Sequence, residues 1–559
     1  MQTSRRTVLS AGAVTGGALL VGSAAAPAPA EPRDRRATAA AQRLPADPFT
    51  LGVASGDPAP DGFVIWTRLA PSPTAADGLG GMPSSRYQVR FQVATTRRFR
   101  GRDVVKRGEV TAGPETAHAV HVELRGLEPG RPYYYRFAVG RWTSPVGRGR
   151  TAPRPGALAS LTMAFTSCSN YPAGFFTAYR HLAEERPDLV LNLGDYQYEG
   201  AQGANALGRP HLGPETTTLA GYRQRHAQYK TDPDLQAAHA AAPWVVVWDD
   251  HELDNNWADD VSEKPAEQGA FAARRVAAFR AYYENMPLRR TSVPRGPDLQ
   301  LYRRIQWGRT ATFHMLDTRQ YRDDQGCGDG FRTDCPAADD PARTLTGDAQ
   351  EQWLIDGFRE STARWDLLGQ QVFFGRRDSA QGAEETVSMD AWDGYAASRD
   401  RVVQGWQDAR VRNPVVLTGD VHAHWASEVL RDPEDGDSAV LGSELVTSSI
   451  TSGGDGYDQP DGEHPWADWN PNLRFWTNLR GYVSTTITPD SLTADFRCVP
   501  RVTTPDAGVF TRRRYVIEDQ VRGLQLALDD PQPPASFSAR SLPSDEQIIR
   551  DTIREETGY

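Results

Sequence analysis

VLNLGDYQYEG, Val190 to Gly200, begins as a buried strand and ends in an abrupt change of chemistry. Leu189, Val190, Leu191 and Leu193 are apolar, with only Asn192 between them. A continuous apolar run of this length fits a strand covered on both faces, as in a parallel sheet. Gly194 ends it, and Asp195 and Tyr198 follow at once, a carboxylate and then a phenol three residues on. In open α/β sheets, ligands bind beyond the carboxyl ends of the strands. A carboxylate and a phenol at that position suit a metal ion.

The same ending recurs. LTMAFTSCSN stops at Ser167-Cys168-Ser169-Asn170, PWVVVWDDHE at Asp249-Asp250-His251-Glu252, and NPVVLTGDVH at Gly419-Asp420-Val421-His422. A single strand-terminal aspartate is more often a turn or helix-cap residue than a ligand. Four such endings bring hard oxygen, imidazole and thiolate donors to one sheet edge, where repulsion among anions needs cations to offset it. The donor set implies more than one metal.

Outward from these strands, the chain changes texture twice. Residues 47–151 read as short alternating strands with Gly/Pro turns, such as VASGDPAPDGFVIWTRL and LEPGRPYYYRF, the pattern of a small antiparallel sandwich. Ala152-Pro153-Arg154-Pro155-Gly156 is a proline-rich linker. From about residue 159 to 530, apolar strands alternate with amphipathic helices such as AFAARRVAAFRAYYENM, which indicates an α/β domain. Ser544-Asp545-Glu546-Gln547 has the spacing of a capping box and opens a C-terminal helix within 543–559.

At 559 residues the chain is long enough for more than one domain, and 24% charged residues is an ordinary globular composition. The net charge of −10 argues against a general nucleic-acid binder, so no specific nucleic-acid partner is expected. Ser4-Arg5-Arg6-Thr7 leads into AGAVTGGALLVGSAAAPAPA, a twin-arginine signal peptide over residues 1–30, followed by an Ala/Arg/Pro-rich flexible leader over 31–46. The apolar part is too short to span a bilayer comfortably, and no other segment approaches transmembrane length. The mature protein is expected to be soluble, secreted or extracytoplasmic, exported already folded, and a monomer. In that oxidising setting Cys327 and Cys335, flanking CGDGFRTDC, pair as a local disulfide, and Cys498 reads as a buried thiol.

These motifs resemble the metallophosphoesterase superfamily and, within it, the PhoD-type alkaline phosphatases. The resemblance rests on Cys168, Gly194-Asp195-Tyr196-Gln197-Tyr198, Asp250-His251-Glu252 and Gly419-Asp420-Val421-His422. VIWTRL, VWDDHELDNNWA, LDTRQYR, LTGDVHAHWASE and VTSSITSGGDG extend it over most of residues 48–500. It implies an α/β fold class: an Ig/fibronectin-like N-terminal β-sandwich, then a four-layered αββα metallophosphoesterase domain. It also implies that Asp195 bridges two metals. Cys168, Tyr198 and His422 then suit Fe³⁺, since anionic sulfur and oxygen stabilise a high charge. Asp250 and Asp420 stand where the superfamily has Asn and its first His. They make the second site oxygen-rich and favour Ca²⁺ over Zn²⁺. Gln370 stands where another ligand is expected and is offered as a calcium ligand through its amide oxygen.

The resemblance places His251 beside the phosphate, to steady the transition state and protonate the leaving group. Asn255 either contacts substrate or caps a turn, and Arg319 either clamps phosphate or serves a structural ion pair. His424 follows His422 at metal-pair spacing or packs against Trp425. The expected activity is hydrolysis of phosphate monoesters, diesters or both, by attack of a metal-bound water or hydroxide. A phospholipase D of the same family is the alternative enzyme. A non-catalytic surface protein whose β module binds cell-wall polymer is the alternative outside catalysis.

Overall fold

The computed structural model describes residues 44–201, 207–531 and 543–557. The segment expected to be a signal peptide and nearly all of the expected leader lie outside the described residues. No helix among them is long and apolar enough to cross a membrane.

Two sheets face each other across the main core. The first has ten strands, in the order Gln525–Asp529, Phe510–Glu518, Ser491–Val499, Arg480–Ile487, Leu161–Thr166, Leu189–Leu193, Pro243–Val247, Val53–Ala59, Gly62–Arg68 and Ala119–Glu123. The second has seven: Arg303–Trp307, Ala311–Met315, Trp365–Gly369, Pro414–Thr418, Val440–Val446, His424–Leu430 and Leu473–Thr477. Phe165, Leu191 and Val245 of the first pack in one apolar cluster with Phe313, Leu367 and Leu417 of the second. Helices Thr177–Glu185 and Pro233–Ala241 contribute Tyr179, Leu182, Leu235 and Ala238 to that cluster. Helices Asp348–Glu360 and Ala396–Ala409 cover the second sheet through Leu354, Phe358, Val402 and Trp406, packed on Leu368 and Val416. The result is helix, sheet, sheet, helix.

The strands that carry the four motifs are central and parallel. Leu189–Leu193 pairs in parallel with Leu161–Thr166 on one side and with Pro243–Val247 on the other. Pro414–Thr418 lies parallel between its neighbours in the facing sheet. All residues of Leu189–Leu193, Pro243–Val247 and Pro414–Thr418 are buried, which is why their sequences read as unbroken apolar runs. Parallel strands share a direction, so their carboxyl ends share an edge.

The N-terminal segment is two-layered. Tyr87–Ala94, Val104–Ala112 and Pro132–Val139 belong to a five-stranded sheet whose Val89, Val93, Tyr135 and Phe137 pack against Phe63, Ile65 and Val120. The opposing layer is not separate from the rest of the chain. Val53–Ala59 pairs in parallel with Pro243–Val247, at Ser55↔Pro243 and Gly56↔Trp244, and so extends the ten-stranded sheet. Cys327 and Cys335 are bonded, and Cys498 is a buried free thiol.

One buried charge in this fold gives a pH-dependent prediction. Lys230 is 1% exposed; its ammonium donates to the Tyr196 hydroxyl at 2.9 Å and lies 4.6 Å from the Trp66 ring centroid. Burial lowers its pKa to about 7. Between about pH 7 and the ordinary lysine value of 10.5 the folded chain holds fewer protons at this site than the unfolded chain. Stability contributed by this site therefore rises with pH across that window and is lost as pH falls through it. Wild type should gain about 2–4 kcal/mol relative to Lys230→Met between pH 7 and pH 10, at ~1.4 kcal/mol per pKa unit. Unfolding midpoints of both proteins across that range provide the check; a pH-independent gap would contradict the role of burial.

Candidate metal centre

The strand ends meet because glycines let them. Gly194 has φ +109°, and a Cβ on it would sit 2.4 Å from the Asp249 Cβ. A Cβ on Gly419 would sit 2.8 Å from the Ser167 Cβ. Glu252 fixes the approach: its carboxylate accepts from the backbone N–H groups of Asp195, Tyr196 and Asp249 at 3.1, 2.6 and 2.9 Å. Two neighbouring strand ends thus share one buried acceptor. Beyond them the backbone enters the left-handed region at Cys168, Asp195, Asp420 and His422, with φ of 59°, 52°, 63° and 52°. Such conformations cost energy in non-glycine residues and concentrate at functional sites.

Three sets of donor atoms result, each set within 4.8 Å: Cys168, Asp195 and His422; Asp195, Asp250 and His251; Asp249, Asp250 and Asp420. Tyr198 joins the first, its hydroxyl donating to Asp195 Oδ2 at 2.8 Å and lying 3.2 Å from His422 Nε2. Cys168, Asp195, Tyr198, Asp250, Asp420 and His422, drawn from four chain segments, therefore form one continuous cluster, with Asp195 common to two sets.

The electrostatics fit cations. Burial, then repulsion from neighbouring acids, pushes the Cys168 thiol and the Asp420 carboxyl well above their ordinary ranges. Burial also raises Asp195 far above a normal carboxyl, although the His251 charge opposes it. Asp249 rises to about 7 for the same reason, burial first. The His422 imidazole is lowered to about 3 by burial and by Arg480, so its nitrogen is held as a neutral donor. Asp249 Oδ2 and Asp250 Oδ1 are buried without a hydrogen-bond partner. Packed anions and orphaned carboxylate oxygens are what a bound cation would satisfy.

His251 sits at the rim, its side chain 21% exposed. Its Nδ1 lies 2.8 Å from Glu199 Oε2, and its ring centroid is 4.0 Å from that of Tyr198. Burial alone would lower its pKa, but Glu199, Asp250 and Asp195 together raise it well above the ordinary value, which favours the protonated ring.

Of the two alternatives for Arg319, phosphate clamp or structural ion pair, the structure shows the ion pair. Arg319 is fully buried, its Nε donates to Asp249 at 2.6 Å, and Nη1 and Nη2 donate to Asp390 at 2.7 and 2.8 Å. A guanidinium with these directions committed to carboxylates is a structural counter-charge behind the cluster. Gln370, offered as a calcium ligand, is instead turned into the protein: its oxygen accepts from the Trp392 indole at 3.0 Å, and its nitrogen donates to Val372 O and Thr418 Oγ1, both at 2.7 Å. Its amide is used in orienting Thr418, ahead of Gly419-Asp420. Asn255 gives its backbone N–H to Glu199 and its side-chain N–H to Glu263 at 2.9 Å, as a turn residue does. His424 accepts from Ser448 N and packs edge-on to Phe496, apart from the cluster.

Residues that sequence reasoning missed are Asp249, Glu199, Asp390 and Ser452. Asp249 was detectable as the first half of an acidic doublet. Ser452 Oγ lies 2.7 Å from the Tyr198 oxygen and 2.9 Å from Cys168 O, two acceptors for its one hydroxyl proton.

Comparison with known proteins agrees with this chemistry. The PhoD-like phosphatase family model matches residues 163–496, and the model of that family's N-terminal domain matches 35–153. Alkaline phosphatase D of Bacillus subtilis (strain 168) is 48% identical over 491 residues, covering 87% of this chain and 83% of that protein. A solved structure of PhoD superposes with a TM-score of 0.85 at 45% identity, covering 92% of this chain and 99% of the other. The chain belongs to the PhoD-like phosphatase family, hydrolases of phosphoric ester bonds.

Proposed function

We propose that the protein is an exported phosphoesterase that hydrolyses phosphate monoesters and diesters at the Asp195-centred cluster. The observation that carries this reading is one carboxylate shared by two donor sets, the arrangement that holds two cations close together. Cys168, Tyr198, His422 and Asp195 would hold Fe³⁺; Asp195, Asp250, Asp420 and also Asp249 would hold Ca²⁺. When bound, such cations neutralise phosphoryl charge and make water acidic enough to attack at neutral pH.

The chain's own residues supply the rest. Glu199 holds His251 Nδ1, which leaves Nε2 for the leaving-group oxygen. The imidazolium gives up a proton as the P–O bond breaks. Arg319 balances the acids from behind without touching substrate. The twin-arginine leader supports export of a folded chain. The family boundary between residues 153 and 163 supports a two-domain reading, even though the sheet runs through both parts.

The positioning of His251 is testable by leaving group. Glu199→Gln should lower kcat on an alkyl phosphate by about 10²-fold and on nitrophenyl phosphate by much less, since only the poor leaving group needs the proton. Equal losses on both would assign Glu199 a structural role only.

The whole reading is tested by metal analysis, a visible spectrum and turnover of nitrophenyl phosphate, its bis-ester and phosphatidylcholine. Iron with calcium, a visible charge-transfer band and loss of activity with a calcium chelator are expected. A zinc-only, chelator-tolerant enzyme would overturn the metal assignment, and turnover of phosphatidylcholine alone would replace the function with a phospholipase.

A further inference from the structure

The stretch VTSSITSGGDG, Val446 to Gly456, contributes no donor atom to the three sets of the metal centre, yet it is bonded to three of the residues in that cluster. Strand pairing brings it there. Val440–Val446 runs parallel to Pro414–Thr418, so both leave the sheet at one edge. Past that edge Ser449 bridges in parallel to Ser167, and Ile450 N donates to Ser167 O at 3.1 Å, which seats the segment against the turn carrying Cys168. Ser448 Oγ donates to His422 O at 3.0 Å. Ser452 follows, between Cys168 and Tyr198.

Ser452 is 1% exposed. Its Oγ accepts from Asn170 N at 3.3 Å and has Tyr198 Oη at 2.7 Å and Cys168 O at 2.9 Å. Its single proton serves one of those two oxygens at a time. Cys168 O already accepts from the N–H groups of Thr451 and Ser452, both at 3.4 Å. Among the described residues no backbone N–H donates to Tyr198 Oη. Apart from the serine, its neighbours are Asp195 Oδ2, to which it donates, and His422 Nε2 at 3.2 Å. The closer and less served acceptor is the phenolic oxygen. In a buried site such a bond is electrostatically stronger than in water.

We infer that Ser452 is a positioning residue acting through Tyr198: its hydroxyl donates to the phenolic oxygen and sets how strongly that oxygen gives electron density to a metal. The inference rests on the reading that Cys168, Tyr198, His422 and Asp195 hold Fe³⁺. A hydrogen bond to a ligand oxygen draws density away from the metal, and hydrogen bonds of this outer kind tune metal sites. Weaker donation leaves a ferric ion a stronger Lewis acid toward a phosphoryl oxygen, and easier to reduce.

The visible spectrum and reduction potential of the iron-loaded full-length protein should be compared with those of Ser452→Ala and Ser449→Ala. Ser449 is the control: its Oγ donates to Ser452 O at 2.7 Å and supports the same segment, without a bond to a donor atom of the centre. Ser452→Ala should keep its iron, because all four donor side chains remain. Its charge-transfer band should move to longer wavelength, since a phenolate without the serine's proton gives up an electron more easily, and its potential should fall for the same reason. Ser449→Ala should lower the unfolding midpoint and leave band and potential in place. A band in Ser452→Ala that stays or moves to shorter wavelength, equal shifts in both variants, or loss of iron from Ser452→Ala would each overturn the tuning role. A wild-type protein with neither iron nor a visible band would instead overturn the Fe³⁺ assignment, and this role with it.

Discussion

Asp195→Asn is expected to lower phosphoester turnover by at least about 10³-fold, ~4 kcal/mol at 1.36 kcal/mol per decade, and to strip both metals. Asp195 alone links the donor set holding Cys168 and His422 to the set holding Asp250. The amide is almost isosteric, so Tyr198 keeps an acceptor, but a neutral oxygen cannot compensate two cations. The same substitution should have the opposite effect on the stability of chelator-treated protein. Burial holds the Asp195 pKa far above its unfolded value. A carboxyl shifted this way contributes stability below the ordinary carboxylate range, and that contribution is lost as pH rises. At alkaline pH the chelated variant should therefore be the more stable by about 1–2 kcal/mol, the scale of relieving one buried, uncompensated charge. With metals present the order should reverse. Metal content and unfolding midpoints, with and without chelator, read both signs. A chelated variant less stable than wild type at high pH would mean that Asp195 is held by protein partners alone.

The strand-end motifs were legible because parallel strands impose their own logic. A run buried on both faces must be apolar throughout, so a sudden Asp, Cys or His marks where it leaves the sheet, and a shared direction puts those exits at one edge. What was not legible is what depends on pairs distant in sequence. Nothing near Arg319 announces that Asp390, on a loop beyond three further strands, will accept both of its terminal nitrogens. Gln370 occupies the right place along the chain, but the Trp392 indole decides where its amide points. Glu199 ends the opening motif, and its role appears only when His251 is brought to 2.8 Å. The continuity of Val53–Ala59 with the ten-stranded sheet was hidden for the same reason: a proline-rich linker suggests a boundary, while strand pairing across it leaves no local signature.

Gly194→Ala should cost about 3–5 kcal/mol of stability and abolish activity. Two independent costs add at this position. The left-handed φ of +109° disfavours any side chain, a penalty of ~1–3 kcal/mol. The new methyl would also meet backbone as well as side chain, at 2.4 Å from Asp249 Cβ, 2.8 Å from its N and 3.1 Å from its Cα. Asp249 cannot retreat, because its N–H is bonded to Glu252, which also holds the N–H groups of Asp195 and Tyr196. On the other side, the Gly194 carbonyl accepts from Cys168 N at 3.3 Å. The methyl thus pushes on three motifs at once. Gly419→Ala provides the graded comparison: its Cβ would lie 2.8 Å from the Ser167 side chain, without the left-handed φ, and its cost should be smaller. Gly101→Ala, with nothing within 4 Å, should be silent. If thermal unfolding ranked these three alike, the motifs would not be held together by close backbone approach, and the convergence at Asp195 would need another physical cause.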